Sequence, residues 1–278
     1  MSSVTRCVIR VSTVQEYLAA IDDAACVLCD AIESCELWFR GHVQTGFQLL
    51  PSIFRPIDGI QLNPELEIVF LSKFKSLATP YIDYLPTPPL PNGVESYWSW
   101  LFQMQHYGVP TRLLDWSRDA LVALYFATNP EDRSLTKGID GAVWVLNPVV
   151  LNRAYNFNKF TQAGYIPNVE EAGFNILFGP DSLPLSNPKP AAAIGPLNSS
   201  RISAQRGVFT VFPHQKNLIP IEQFPDSNLF LFKICIANEN VDEIQSQLKR
   251  YGITKISLFP ELQSIAGEIT RQVIAERT

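Results

Sequence analysis

Apolar positions in this chain switch between two periods, and the switches mark out its elements. Residues 7–12, CVIRVS, read as a short strand, and a helix follows whose start carries capping-box spacing from Ser12 to Gln15. Residues 35–40 read as a second strand. Pro64 opens a helix on which Leu66, Val69, Phe70, Phe74 and Leu77 share a face, and an aromatic helix is expected over residues 93–107. Residues 103–127, QMQHYGVPTRLLDWSRDALVALYFA, then join a polar, histidine-bearing turn directly to a helix whose Ala120, Leu121, Ala123, Leu124 and Ala127 fall at the spacing of a buried face. Polar groups at such a junction are held on a rigid support.

Further strands are expected at GAVWVLNP, GVFTVFP, NLFLFKICIA and ITKISLF, with a helix capped by Asn238 or Asn240 and a last helix opened by Pro260. The three late strands are nearly continuous apolar runs, as in a sheet covered on both faces. Residues 155–200, rich in Asn, Pro and Gly, are long enough for a functional flap. The pattern predicts an α+β fold over residues 1–278: one mixed-sheet domain flanked by helices.

Composition narrows the function classes. A chain of 278 residues that is 46% hydrophobic and 18% charged is an ordinary globular one. The short apolar run at the start is no signal peptide and no window is long enough to span a bilayer, so the expectation is a cytoplasmic protein without a membrane partner. A net charge of −5 gives no overall attraction to nucleic acid. Cys7, Cys26, Cys29, Cys35 and Cys235 show no framework spacing and read as reduced, mostly buried thiols. With one CxxC and three histidines, no metal site is expected.

Four groups carry candidate chemistry. In WFRGH a strand delivers Arg40 beside Gly41, which allows close backbone approach; the arginine suits phosphate or ribose, or a structural ion pair. In HYGVPTRLLDWS, Pro110 forces an extended turn that crowds His106, Thr111, Arg112, Asp115 and Ser117 together. Asp115 or Ser117 could equally cap the next helix, and His106 could answer a helix dipole. In SSRISAQRGVF, Arg201 and Gln205 lead into a strand, and the amide of Gln205 suits recognition better than proton transfer. In LFPEL, Glu261 begins the final helix. Trp98, Trp100, Phe102, Trp116 and Phe126 read as core rather than ligand platform.

At these residues the chain resembles the FRG domain family. Phe39-Arg40-Gly41, the run Gln105-His106-Tyr107-Gly108-Val109-Pro110-Thr111-Arg112-Leu113-Leu114-Asp115-Trp116-Ser117, then Gln205-Arg206-Gly207-Val208-Phe209 and Leu258-Phe259-Pro260-Glu261-Leu262 occur in the family's order, over roughly residues 30–275. That order is similar to ADP-ribosyltransferases. The resemblance implies an ADP-ribosyltransferase-like fold with NAD as substrate and no metal. It has Arg40 and Arg112 gripping the pyrophosphate, His106 and Thr111 the riboses, and the flap the acceptor. Asp115-Trp116-Ser117 would stand at the Ser-Thr-Ser position and Gln205-Arg206-Gly207 at the Gln/Glu-x-Glu position. Gly207 lacks the carboxylate expected there, which leaves Asp115 and Glu261 to supply charge for nicotinamide departure. The implied role is a toxin or phage-defence effector acting on protein or RNA, with a cognate antitoxin or inhibitor as partner. The alternative is a non-catalytic module that senses a nucleotide or binds a partner, and a third reading is a toxin acting on nucleic acid.

Overall fold

In a computed structural model, which describes residues 9–29, 35–81, 96–129, 138–155, 165–185, 188–195 and 199–275, the apolar runs pair into a seven-stranded sheet. The strands are β1 (Ile9–Val11), β2 (Trp38–His42), β3 (Leu113–Ser117), β4 (Gly141–Leu146), β5 (Ala191–Ala193), β6 (Gly207–Val211) and β7 (Leu231–Ile236). They lie in the order β1-β7-β4-β2-β3-β6-β5, with β1 parallel to β7 and every other pair antiparallel. Ten α-helices surround the sheet among the described residues: α1 (Val14–Leu28), α2 (Leu66–Ala78), α3 (Tyr97–His106), α4 (Ala120–Thr128), α5 (Pro148–Ala154), α6 (Ala172–Phe178), α7 (Ser200–Ala204), α8 (Val241–Arg250), α9 (Lys255–Leu258) and α10 (Leu262–Ala275). The architecture is α+β, as the pattern predicts.

Three clusters of buried side chains hold it together. One packs α1, α4 and α8 on the β1-β7-β4-β2 half of one face, through Val14, Tyr17, Val122, Leu124, Ile234 and Ile244. A second gathers Trp98, Phe102, Phe174 and Phe178 over Leu113, Phe209 and Ala193 on the β3-β6-β5 half. The third covers Trp38, Trp116, Trp144 and Phe212. Alternation along a strand sends successive side chains to opposite faces. Phe39 and Ser117 are opposite each other in register, so Leu113, Asp115, Ser117, Phe39 and Gly41 share one face while Trp38, Arg40, Leu114 and Trp116 belong to the other.

The centre of the sheet is not fully zipped. β2 pairs with β4 over all five of its residues and β3 with β6 over all five, yet β2 and β3 are joined through the single pair Phe39↔Ser117. Past that pair the strands splay. The short turn Ser52–Phe54 fills the far end of the gap, where Ile53 N–H donates to the Thr111 carbonyl at 3.2 Å and Thr111 N–H donates to Ser52 Oγ at 3.2 Å.

Several expectations are corrected here. LLDWS is strand β3 rather than a turn, because its backbone completes the ladder with β6. ITKISLF is not a strand: the Thr254 hydroxyl accepts from Ser257 N–H and begins the short helix α9. The cap of α1 is displaced by one residue, with Thr13 Oγ1 accepting from Glu16 N–H and the Glu16 carboxylate from Ser12 N–H at 2.7 Å. On α2 the apolar stripe is exposed at Val69 and Leu77 while Glu67 and Leu71 are buried, since a buried arginine claims Glu67. Of the segment expected as a flap, the described parts form α6 and β5. Phe174, Phe178 and Ala191–Ala193 are core; residues 156–164, 186–187 and 196–198 lie outside the described residues.

The cysteines also differ from expectation. Cys29, just after α1, and Cys35, on the approach to β2, form a disulfide with Cα atoms 5.8 Å apart. Cys235 is disulfide-bonded as well, and Cys26 is free and exposed. Among the described residues no helix is long and apolar enough to cross a membrane.

Candidate functional site

Where the two clusters on one face of the sheet meet, above the β2–β3 gap, a cavity of about 260 Å³ is left open. β2 contributes Phe39, Arg40 and Gly41, and β3 contributes Asp115, Trp116 and Ser117. α3 supplies Phe102, Gln105 and His106, α4 supplies Ala123 and Phe126, and Arg201, Ile202, Gln205 and Phe209 close the side formed by α7 and β6. Seven of the residues singled out in the sequence (Arg40, Gly41, His106, Asp115, Ser117, Arg201 and Gln205) thus converge on one wall-to-wall space. Its walls are aromatic and its floor polar, the usual make-up of a small-molecule pocket.

Arg40 is the central cation. It bridges the splayed strands by donating from Nη1 to the Asp115 carbonyl at 2.6 Å and from Nε to His42 Nε2 at 3.0 Å. The Asp115 carboxylate approaches it only to 4.0 Å, and is itself held by Gln105 Nε2 donating to Oδ1 at 2.6 Å. Burial therefore draws the guanidinium down to about 10, with Asp115 opposing and Arg55 adding to the drop. Burial also holds His42 well below the usual histidine range, as do Arg40 and Arg55.

Two further polar groups guard the other wall. His106 Nε2 lies 3.7 Å from Glu261 Oε1, and burial and then Arg201 lower the His106 pKa against the pull of Glu261. Arg201 stacks over the Phe259 ring at 4.4 Å, and Phe259 meets Phe126 edge to face. Gln205 donates from Nε2 to the Leu258 carbonyl at 3.1 Å, which ties the end of α9 to the cavity. Ser117 Oγ donates to the Gln205 carbonyl at 2.7 Å and accepts from Asp119 N–H at 2.9 Å, so it is spent on structure, and Asp119 is the residue that caps α4.

Three expected site residues take other places. Arg112 is 1% exposed and far inside the core. It donates through Nε to Glu67 Oε2 at 2.8 Å, through Nη1 to the Phe212 carbonyl at 3.0 Å, and through Nη2 to Tyr97 Oη and the Phe178 carbonyl. Burial opposes its charge, but Tyr97 and Glu67 more than offset that and keep its pKa raised. It is a structural ion pair, saturated inside the core. Thr111 is wholly buried and donates its hydroxyl to Gln105 Oε1, which orients the amide that holds Asp115. Glu261 stands beside His106 without lining the cavity.

Gly41 lines the cavity, yet its own lack of a side chain has another cause: a Cβ there would lie 2.0 Å from the Ala123 carbonyl oxygen. The glycine lets α4 press onto β2. Gln105 was missed as a site residue although it directly precedes His106, since its role depends on a strand ten residues on. Phe102 and Trp116 are core as expected and also walls of the cavity. Among the described residues no group of three or more His, Cys, Asp or Glu is placed to hold a metal.

A family model, the FRG domain, matches residues 35–135. The match covers the strand with Arg40 and the run through Asp115 and α4; Arg201, Gln205 and Glu261 join the cavity from beyond it. No curated protein and no solved structure matches the chain.

Proposed function

Since residues 35–135 of this chain carry an FRG domain, we propose that the protein is an NAD-dependent ADP-ribosyltransferase-like effector, a toxin or phage-defence component that modifies protein or RNA in the cytoplasm. The observation that carries this reading is the meeting of Arg40 and Asp115 across the open junction of two central strands, inside an aromatic-walled cavity. A volume of about 260 Å³ suits a ring and a sugar, the reacting end of NAD, with the rest reaching outward.

In the reaction, the bond between ribose C1′ and nicotinamide breaks with its electron pair leaving on nicotinamide. C1′ gains cationic character, which the Asp115 carboxylate offsets electrostatically. Gln105, itself oriented by Thr111, fixes that carboxylate. The acceptor attacks C1′ and loses a proton to His106, which its lowered pKa keeps neutral at pH 7 and whose protonated form the nearby Glu261 carboxylate favours. A cognate antitoxin or inhibitor would act by covering the cavity mouth.

One observation favours the non-catalytic alternative. Gly207 carries no carboxylate, and a Cβ there would already meet Ile202 at 3.1 Å, so a nucleotide could be held without being cleaved. Incubating the protein with radiolabelled NAD and cell lysate, followed by protease or nuclease, separates the readings. Label carried on protein or RNA supports transfer and identifies the acceptor class. Bound NAD recovered intact supports sensing.

A further inference from the structure

Three of the five cysteines gather at the end of α1. Cys29, which ends the helix, is bridged to Cys35, and Cys26 stands one turn earlier as a free, exposed thiol. Cys29 N–H still donates to the Ala25 carbonyl at 2.9 Å, so the helical path holds as far as Cys29 and the two residues have i, i+3 spacing. Side chains so spaced share a face. Helix geometry puts the two Cα atoms about 5 Å apart, inside the roughly 4.4–6.8 Å that a disulfide spans. The backbone turns extended at Cys29 itself, so the pair could close at a helix end without breaking an interior turn.

The two ends of the existing bridge are not equivalent. Cys35 is exposed and Cys29 half-buried. Asn147, just past β4, donates from Nδ2 to the Leu28 carbonyl at 2.9 Å and lies 3.5 Å from Cys35 Sγ. Its Oδ1 meanwhile accepts from Val149 and Val150 N–H, which fixes the amide at the start of α5. A held N–H donor on the Cys35 sulfur favours departure of that sulfur as thiolate, and a solvent-exposed bridge beside a free thiol is the labile kind.

We propose that Cys26, Cys29 and Cys35 form a thiol–disulfide exchange site, in which the bridge passes between Cys29–Cys35 and Cys26–Cys29. Cys26 gives its proton to solvent and the thiolate attacks Cys29 Sγ. The Cys29–Cys35 bond breaks with its electron pair on Cys35, which takes up a proton, so nothing is oxidised or reduced overall. The sulfur left free in either form, Cys26 or Cys35, is exposed to small thiols and disulfides. In one form the bridge ties α1 to the chain three residues before β2, the strand of Arg40. In the other, α1 closes on itself and that tie is gone. The site is independent of the transferase reading.

The test is a map of the bridges in the folded full chain. Protein free of added thiol is held at about pH 8.5, where thiolate is plentiful, and its free thiols are then trapped with N-ethylmaleimide at about pH 6. Cleavage at Asp30 and Glu33 separates Cys35 from Cys26 and Cys29 for mass spectrometry. The expected result is label on Cys35 as well as on Cys26, appearing at a rate independent of protein concentration and about tenfold slower for each pH unit below the thiol's range. Cys26→Ser should show no label on Cys35. In Cys35→Ser, an added small disulfide should close Cys26 onto Cys29. Label confined to Cys26 at every pH, a rate that rises with protein concentration, or a Cys35→Ser chain that keeps Cys26 and Cys29 unpaired would overturn the site.

Discussion

Arg112 and Arg40 were alike in the sequence, two arginines beside small or hydroxylic neighbours, and the protein uses them in opposite ways. Arg112 is saturated by Glu67, Tyr97 and two carbonyls, so Arg112→Met strands a buried carboxylate. A loss of about 3–5 kcal/mol in denaturant unfolding is expected, with much of it recovered when Glu67→Leu is added. A double variant as unstable as the single one would contradict the pairing. Histidine titration belongs to the same scale. Burial and Arg112 hold His214 down to about 3, so between pH 6.5 and 3 the unfolded chain binds a proton that the folded one does not. Stability should be flat above pH 6.5 and fall by up to about 1.4 kcal/mol per pH unit below it for this group. His214→Gln should reduce that slope, and an unchanged slope would assign the acid sensitivity elsewhere. For His106, lowered as well, turnover should be constant at neutral pH and decline only as acid protonates it.

Elements were legible where a local rule sufficed. The strand periods at β2, β4, β6 and β7 and the apolar helix α4 follow from spacing, whereas the gathering of Arg40, His106, Asp115 and Gln205 into one site was implied only by the family resemblance. The rest depended on partners distant in sequence. Nothing local says that LLDWS will ladder with β6, that Glu67 will be buried, or that a Pro- and Asn-rich stretch will donate two phenylalanines to the core. The role of Gly41 is also tertiary: Gly41→Ala drives a methyl into the α4 backbone and should cost about 3 kcal/mol or more, or prevent folding. A soluble variant with wild-type stability would contradict the close approach of α4. The Cys29–Cys35 bridge closes a six-residue separation. Cys35→Ser should lower stability by about 2 kcal/mol by the loop-closure estimate, a loss expected equally under reducing conditions such as the cytoplasm.

Across the whole molecule, the decisive feature is a sheet zipped on both sides of a junction that is itself nearly unzipped. Two independent cores fill one face, and the space between them opens onto the gap where Arg40 reaches Asp115. The chain segments that build the cavity come from residues 39–41, 102–126 and 201–209, with Glu261 standing at its edge. Motifs far apart in sequence are thereby brought to one cavity. The net charge of −5 leaves any anion binding to this local cationic cluster. The most direct test is nicotinamide release from NAD by purified protein, beside Arg40→Gln and Asp115→Asn variants whose thermal midpoints match the wild type. The account predicts release by the wild type, about 100-fold or more slower in Asp115→Asn and about 10- to 100-fold slower in Arg40→Gln. Release that is undiminished in both variants would contradict it.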